Sequence, residues 1–226
     1  MHFLLLVLSI VSRALASLAA GLLAPPRCAA CDAPLGRATA LCPTCAGTVR
    51  RAPVAAARGP IEVVVAAALY GGAVEVAVRR LKYDKRPDLA RPLGHLVRAA
   101  LRDAGVRADV VVPVPLHPRR LAERGYNQAA LLAAHVADEL DAPHAARALA
   151  RVRPTLQQAR CDRDARLANV DGAFAARPGA VLSGLRVALV DDVITTGATL
   201  SACAGALRAA GAASVVAVVL ARADPE

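Results

Sequence analysis

The chain has 226 residues, enough for one full domain and a small appendage. Hydrophobic residues make up 56% of it, yet there is no Trp, two Phe and three Tyr, which argues against a nucleic-acid surface built on several stacked aromatics. The 28 basic residues outnumber the 18 acidic ones, giving a net charge of +10. This excess favours phosphate-rich partners, although a solvated surface rich in Arg has the same composition.

Residues 1–23 form an apolar N-terminal stretch. Residues 3–8 look like a signal-peptide core and residues 14–16 like its cleavage site, but no Lys or Arg precedes the core and Arg13 interrupts the apolar run. Neither side of Arg13 has the ~18 to 20 apolar residues that span a bilayer. We therefore predict a helix over residues 1–23 of a cytoplasmic protein, docked on its own domain, on a partner or peripherally on a membrane surface. Secretion is the alternative.

Two pairs of cysteines follow, each pair with two residues between its members: Cys28 and Cys31, then Cys42 and Cys45. This spacing is typical of a structural zinc site with four thiolate ligands. A segment with so little apolar surface would depend on the metal for its folding. Two disulfides or a redox dithiol are the alternatives. We predict a zinc ribbon over residues 24–58, with residues 46–60 as a linker rich in Pro, Gly and basic residues.

The remaining domain, residues 59–226, opens with a predicted strand over residues 61–70 and a predicted helix over residues 73–83. Six basic residues lie between residues 79 and 91, among them Lys82 and Lys85. A solvated charged surface and a phosphate-facing loop are both consistent with such a run.

A second buried strand is predicted over residues 109–115, and a helix over residues 129–140. Basic residues lie between them, as suits a diphosphate group. The predicted diphosphate loop consists of Pro113, Val114, Pro115, Leu116 and His117, and the basic residues near it are Arg119, Arg120 and Arg124. On its own, His117 is more typical of a turn than of a catalyst.

The most informative stretch is residues 187–200, where an apolar strand is followed by two acids, then by a loop of Thr and Gly, then by a helix that Gly211 ends. The acids are expected where the strand ends, and they can accept hydrogen bonds from two neighbouring sugar hydroxyls. The loop and helix start offer backbone N–H groups to a phosphate. A last strand is predicted over residues 213–220. The predicted ligand residues are Asp191, Asp192, Thr195, Thr196, Gly197, Ala198 and Thr199.

These motifs resemble a known family. The stretch 187–200 is similar to the phosphoribosyl-pyrophosphate (PRPP) motif of type I phosphoribosyltransferases. The sequence P-V-P-L-H at residues 113–117, R-L-x-x-R-G-Y-N-Q at residues 120–128 and the segment from Arg153 to Phe174 resemble the ComF-type competence proteins, also described as amidophosphoribosyltransferase-like. The resemblance implies an α/β fold with a parallel sheet flanked by helices and an N-terminal four-cysteine zinc ribbon.

The resemblance also implies a mobile loop over the site. Residues 151–166 are rich in Arg and poor in large apolar side chains, which independently predicts mobility. An active-site lid and a plain disordered connector are both consistent with this composition. Catalytic residues are not assigned by this reasoning. The loop candidates are Arg153, Gln158 and Arg166, and the further basic residues with a DNA-binding interpretation are Arg160 and Arg163.

Two functions are consistent with the resemblance. One is a PRPP-binding protein that acts in DNA uptake and contacts single-stranded DNA or DNA-processing competence proteins. The other is an active Mg²⁺-dependent phosphoribosyltransferase of nucleotide metabolism with an unassigned nitrogen acceptor, in which substrate oxygens and water hold most of the metal.

Overall fold

The computed structural model describes residues 26–36, 39–57, 59–153 and 172–224. In chain order the elements are helix α1 (Pro43–Ala46), strands β1 (Ala55–Ala56) and β2 (Val63–Leu69), helix α2 (Gly72–Tyr83), a 3₁₀ turn (Pro87–Leu89), helix α3 (Ala90–Ala104), strand β3 (Val110–Pro113), helices α4 (Pro118–Arg124) and α5 (Gln128–Leu140), strands β4 (Leu149–Arg151), β5 (Phe174–Ala176) and β6 (Arg186–Ile194), helix α6 (Ala198–Ala209) and strand β7 (Ser214–Arg222). The helix predicted for residues 1–23 lies outside the described residues. Within them, no helix has the length and apolar character needed to cross a membrane.

The core of the fold is a five-stranded sheet in the order β1-β2-β7-β6-β3. In this sheet β2, β7, β6 and β3 run parallel to one another, and β1 pairs with β2 in the antiparallel direction. Both faces of the central strands are buried, which explains why β6 and β7 read as near-continuous apolar runs. The α/β fold class predicted from the sequence is therefore confirmed.

Side-chain alternation along β6 divides the core into two halves. Ala188 and Val190 pack on the face covered by helices α3 and α5, whereas Val187 and Leu189 pack on the face covered by α6. The short antiparallel pair β4 and β5 lies on the α6 side. This alternation decides where the next two residues of β6, both acidic, are directed.

Two of the differences from the sequence predictions have a clear physical reason. Strand β6 does not end at the acids but continues to Ile194, because β7 is equally long and keeps supplying partners, with Val193 opposite Ala221. The segment predicted as a linker is not only a connector, because Ala55–Ala56 pair with β2 as an edge strand. Two alanines carry too weak a strand signal for this to be predicted.

The carboxyl ends of the four parallel strands meet at one edge of the sheet, where ligands bind in folds of this type. The loops that begin there are residues 70–71 after β2, residues 114–117 after β3 and residues 195–197 after β6. We call this the site edge.

Candidate functional site

The loop between β6 and α6 forms the part of the site edge that is suited to a phosphate group. Gly197 caps α6 with φ +79°, a left-handed conformation that side-chain-bearing residues rarely adopt. The Thr196 hydroxyl accepts a long hydrogen bond of 3.5 Å from the Ala198 amide. Thr195 is exposed, while Thr199 lies half-buried in the first turn of the helix. The positive end of a 12-residue helix thus faces the site edge, as an anion requires.

The two acids of the motif occupy different environments. Asp191 continues the α6 face of β6 and Asp192 continues the opposite face, since successive strand residues alternate. Asp192 is buried, with 3% of its surface exposed, whereas Asp191 is only half-buried. The Asp191 carboxylate accepts a 2.8 Å hydrogen bond from the Asp192 backbone amide. Predicting the pair as one equivalent unit misses this asymmetry.

Lys82, in the last turn of α2, is the partner of the buried acid. Its Nζ lies 2.8 Å from Oδ1 of Asp192, while Oδ2 of the same carboxylate is buried without a hydrogen-bond partner among the described residues. The Lys82 side chain is 21% exposed. In the sequence, Lys82 lies within a run of basic residues, and nothing local distinguishes it from its basic neighbours.

The electrostatics of this cluster are strongly perturbed. Burial and then the neighbouring Asp192 carboxylate raise the pKa of Asp191 to about 7, against the opposing effect of Lys82. Burial works to lower the pKa of Lys82, but attraction to Asp192 and Asp191 outweighs it and the pKa of Lys82 is raised. A carboxyl group with a raised pKa, such as that of Asp191, at the carboxyl edge of a parallel sheet is typical of a binding or catalytic site.

The loop after β3 lies beside the acid motif because β3 pairs with β6, with Pro113 opposite Val190. The predicted diphosphate loop therefore shares the site edge with the predicted ribose and phosphate residues. His117 caps helix α4, and its Nδ1 accepts a 3.2 Å hydrogen bond from the Arg119 amide. This is the turn role expected for that residue.

The basic residues of α4 lie on the surface. Arg119 is exposed and pairs with Glu123 at 2.9 Å, and Arg120 is exposed as well. The half-buried Arg124 donates to Gln128, and its guanidinium carbon lies 5.6 Å from the ring centre of Tyr83.

The loop candidates are only partly placed. Gln158, Arg166, Arg160 and Arg163 lie within residues 154–171, outside the described part of the chain, and Arg153 is exposed directly before it. Strands β4 and β5 flank that segment and pair with each other, with Arg151 opposite Phe174. The loop predicted over residues 151–166 therefore lies almost entirely outside the described residues.

The four cysteines converge as predicted. All four Sγ atoms lie within 4.8 Å of one another, and Sγ of Cys31 is 3.7 Å from Sγ of Cys42. Tetrahedral zinc with Zn–S bonds of about 2.3 Å requires S···S separations of about 3.8 Å, so the donor set can hold such a metal ion. Cys203 is buried in the core far along the chain, and burial raises its pKa.

The environment of these thiols is uneven. Although burial opposes it, hydrogen bonds from the backbone amides of Cys31, Cys42 and Ala30 lower the pKa of Cys28 to about 6. Burial, followed by the neighbouring thiols, raises the pKa of Cys45 to about 12. A cation among the four sulfurs would favour their thiolate forms. We call residues 26–36 and 39–48 the four-cysteine unit.

Comparison with known proteins agrees with this geometry. The family model described as phosphoribosyl transferase domain matches residues 126–226. DNA utilization protein YhgH of Salmonella typhimurium is 31% identical over 198 residues, covering 83% of this chain and 86% of that protein. Competence protein F of Haemophilus influenzae is 35% identical over 156 residues, covering 66% and 68%.

A similar solved structure is the glutamine PRPP amidotransferase from B. subtilis complexed with ADP and GMP, with 25% identity and a TM-score of 0.44. The match covers 62% of this chain but only 30% of that longer protein. Family membership rests on the sequence relatives, which align over most of both chains. The chain therefore belongs to the family of competence protein F and DNA utilization protein YhgH, which has a phosphoribosyltransferase-type domain.

Proposed function

We propose that this protein binds PRPP, or a related phosphoribosyl ligand, at the site edge and acts in the uptake or use of DNA. The observation that carries the proposal is the acid pair at the carboxyl edge of the parallel sheet, directly before the loop that starts α6. Carboxylates that accept from sugar hydroxyls and a helix start that accepts an anion together match a ribose 5-phosphate.

In this proposal three parts of the site edge have separate roles. Asp191 and Asp192 hold the ribose hydroxyls, Thr195 to Thr199 hold the 5′-phosphate, and residues 113–117 lie against the diphosphate. Lys82 reduces the negative charge of the acid pair and presents its remaining donors to the ligand. Mg²⁺ accompanies PRPP, held mainly by ligand oxygens and water. The four-cysteine unit holds structural zinc.

Isothermal titration calorimetry with PRPP and Mg²⁺ tests whether the protein binds the proposed ligand. Changing both acids, Asp191→Asn with Asp192→Asn, should cost on the order of 2–4 kcal/mol by removing two charge-assisted hydrogen bonds, or roughly 30- to 1000-fold in affinity. Unchanged affinity in this double variant would contradict the proposed ribose site.

The proposed role in the uptake or use of DNA is supported by the names of the relatives and by the exposed arginines of α4. Binding of single-stranded DNA should weaken when Arg119 and Arg120 are changed to Ala, and the salt dependence should become shallower by about 0.7 per lost phosphate contact. The matched control changes Arg107 and Arg177, which are exposed at the opposite end of the strands. Equal effects from both pairs would indicate attraction by net charge alone.

Turnover is the second candidate function. It is favoured by the adjacency of the predicted diphosphate loop and the acid motif across β3 and β6. The reaction would transfer phosphoribose from PRPP to a nitrogen nucleophile and release pyrophosphate, with catalysis resting on positioning and on stabilisation of the leaving group. Pyrophosphate release in the presence of candidate nitrogen acceptors tests it. Release that persists in the Asp191→Asn, Asp192→Asn variant would be unrelated to this site.

A further inference from the structure

Helix α2 connects the four-cysteine unit to the acid pair. Near the end of this helix, Nη1 of Arg80 donates to the carbonyl oxygens of Ala29 and Ala30, each at 3.2 Å, and more distantly to that of Cys28 at 3.5 Å. Its Nη2 donates to the Asp32 carboxylate at 3.1 Å. The Arg80 side chain is 16% exposed, so one largely buried guanidinium binds residues 28–32, around the first cysteine pair, to α2.

The start of the same helix is held by the second half of the unit. The Thr48 hydroxyl accepts a 3.0 Å hydrogen bond from the Ala73 amide and donates to the carbonyl oxygen of Cys45 at 2.8 Å. Gly72 makes this approach feasible, because a Cβ there would lie 2.8 Å from the Thr48 hydroxyl oxygen. The four-cysteine unit thus contacts both ends of α2.

Lys82 lies two residues beyond Arg80 in this helix and carries the ammonium that contacts Asp192. A lysine side chain has many rotamers, and fixing one of them costs conformational entropy. A backbone that is already fixed at Lys82 lowers the total entropy cost of holding the ammonium against Asp192. Another restraint acts on the same turn, where the Tyr126 hydroxyl donates to the Leu81 carbonyl oxygen at 2.5 Å. Arg80 and Tyr126 therefore both restrain the last turn of α2. Loss of Arg80 should make this turn more mobile, while the hydrogen bond from Tyr126 still holds it.

We infer that the four-cysteine unit positions Lys82 against Asp192 through Arg80 and Thr48, and thereby sets the affinity of the site edge for its phosphoribosyl ligand. Arg80 is a positioning residue in this account, and Lys82 is the binding residue it acts through. The consequence for the ligand rests on the proposed function, but the positioning of Lys82 does not.

The first test needs no ligand. The chain has two lysines, Lys82 and the exposed Lys85, so acetylation by an amine-reactive reagent can be followed by mass spectrometry with Lys85 as internal reference. Arg80→Ala should make Lys82 react several-fold faster relative to Lys85. The control is Arg98→Ala, which removes a comparable ion pair, 2.7 Å to Glu139 between α3 and α5. A Lys82 rate unchanged by Arg80→Ala, or raised equally by Arg98→Ala, would overturn the inference.

Thr48→Ala is the milder second variant if Arg80→Ala fails to fold, because Thr48 is exposed and its loss removes two hydrogen bonds rather than a buried ion pair. It should also speed the labelling of Lys82. If only this variant folds, an unchanged Lys82 labelling rate in it would contradict the coupling.

The second test is a double-mutant cycle on PRPP affinity measured by calorimetry. Arg80→Ala alone should weaken binding by about 10-fold, the scale of one hydrogen bond to a charged group. In a Lys82→Met background it should add little, because the residue it positions is gone. Full additivity would mean that Arg80 acts generally on stability. A wild-type protein that binds no PRPP would instead overturn the proposed function, while the labelling result would still decide the positioning of Lys82.

Discussion

Replacing Lys82 with Met should destabilise the protein far more than the loss of a surface charge would. The change keeps most of the side-chain volume. Among the described residues, it removes the one ion-pair partner of Asp192, which is 3% exposed. Breaking a buried pair costs about 3–5 kcal/mol, and we expect about 3 because Lys82 is 21% exposed and water can partly replace it. If the free energy of unfolding falls by about 2 kcal/mol per M urea, the midpoint of urea unfolding should fall by about 1.5 M.

The control is the double variant Lys82→Met with Asp192→Asn, which removes the buried charge together with its partner. It should recover most of the lost stability, since an amide is less costly to bury than an unpaired carboxylate. Equilibrium urea unfolding followed by circular dichroism measures all three proteins. The contrary result is a urea midpoint of Lys82→Met within about 0.25 M of the wild-type midpoint, a difference of ~0.5 kcal/mol in the free energy of unfolding. It would mean that the Lys82–Asp192 pair contributes no more than a solvent-exposed ion pair.

Three other predictions follow from the same structure. Gly94→Ala should lower stability by about 1–3 kcal/mol in thermal or urea unfolding, because the added Cβ would lie 2.4 Å from the His135 ring and 2.9 Å from its Cβ, which rotation cannot clear; unaltered stability would contradict that packing. Elemental analysis of protein purified without chelators should find about one zinc per chain, whereas intact disulfides in mass spectrometry would exclude the site. PRPP affinity should rise with pH through about 7, where Asp191 becomes ionised and accepts hydrogen bonds; Asp191→Asn should leave only the change due to the ligand's own phosphate, which titrates near pH 6, and an identical pH profile in wild type and variant would be the contrary result.

Much of the fold and part of the site are predictable from sequence because their signals are local. The apolar run before Asp191, the glycine that caps α6 and the paired cysteines are each recognisable within a few residues of sequence. Strand, loop and helix then place themselves at the edge of a parallel sheet.

The remaining features depend on distant parts of the chain. The pairing of Lys82 with Asp192 joins residues 110 positions apart, and Arg80 recognises backbone carbonyls, which carry no sequence signal. The extension of β6 past the acids depends on the length of β7. The difference between Asp191 and Asp192 follows from strand alternation once that extension is known.

A crystal structure of this protein with PRPP and Mg²⁺ would test the proposed binding site directly. We expect the ribose hydroxyls to contact the carboxylates of Asp191 and Asp192, and the 5′-phosphate to lie at the start of α6 beside Thr195 to Thr199. Lys82 should remain within contact of the acid pair. A ligand bound away from the site edge, or none bound at saturating PRPP, would contradict the proposed binding site.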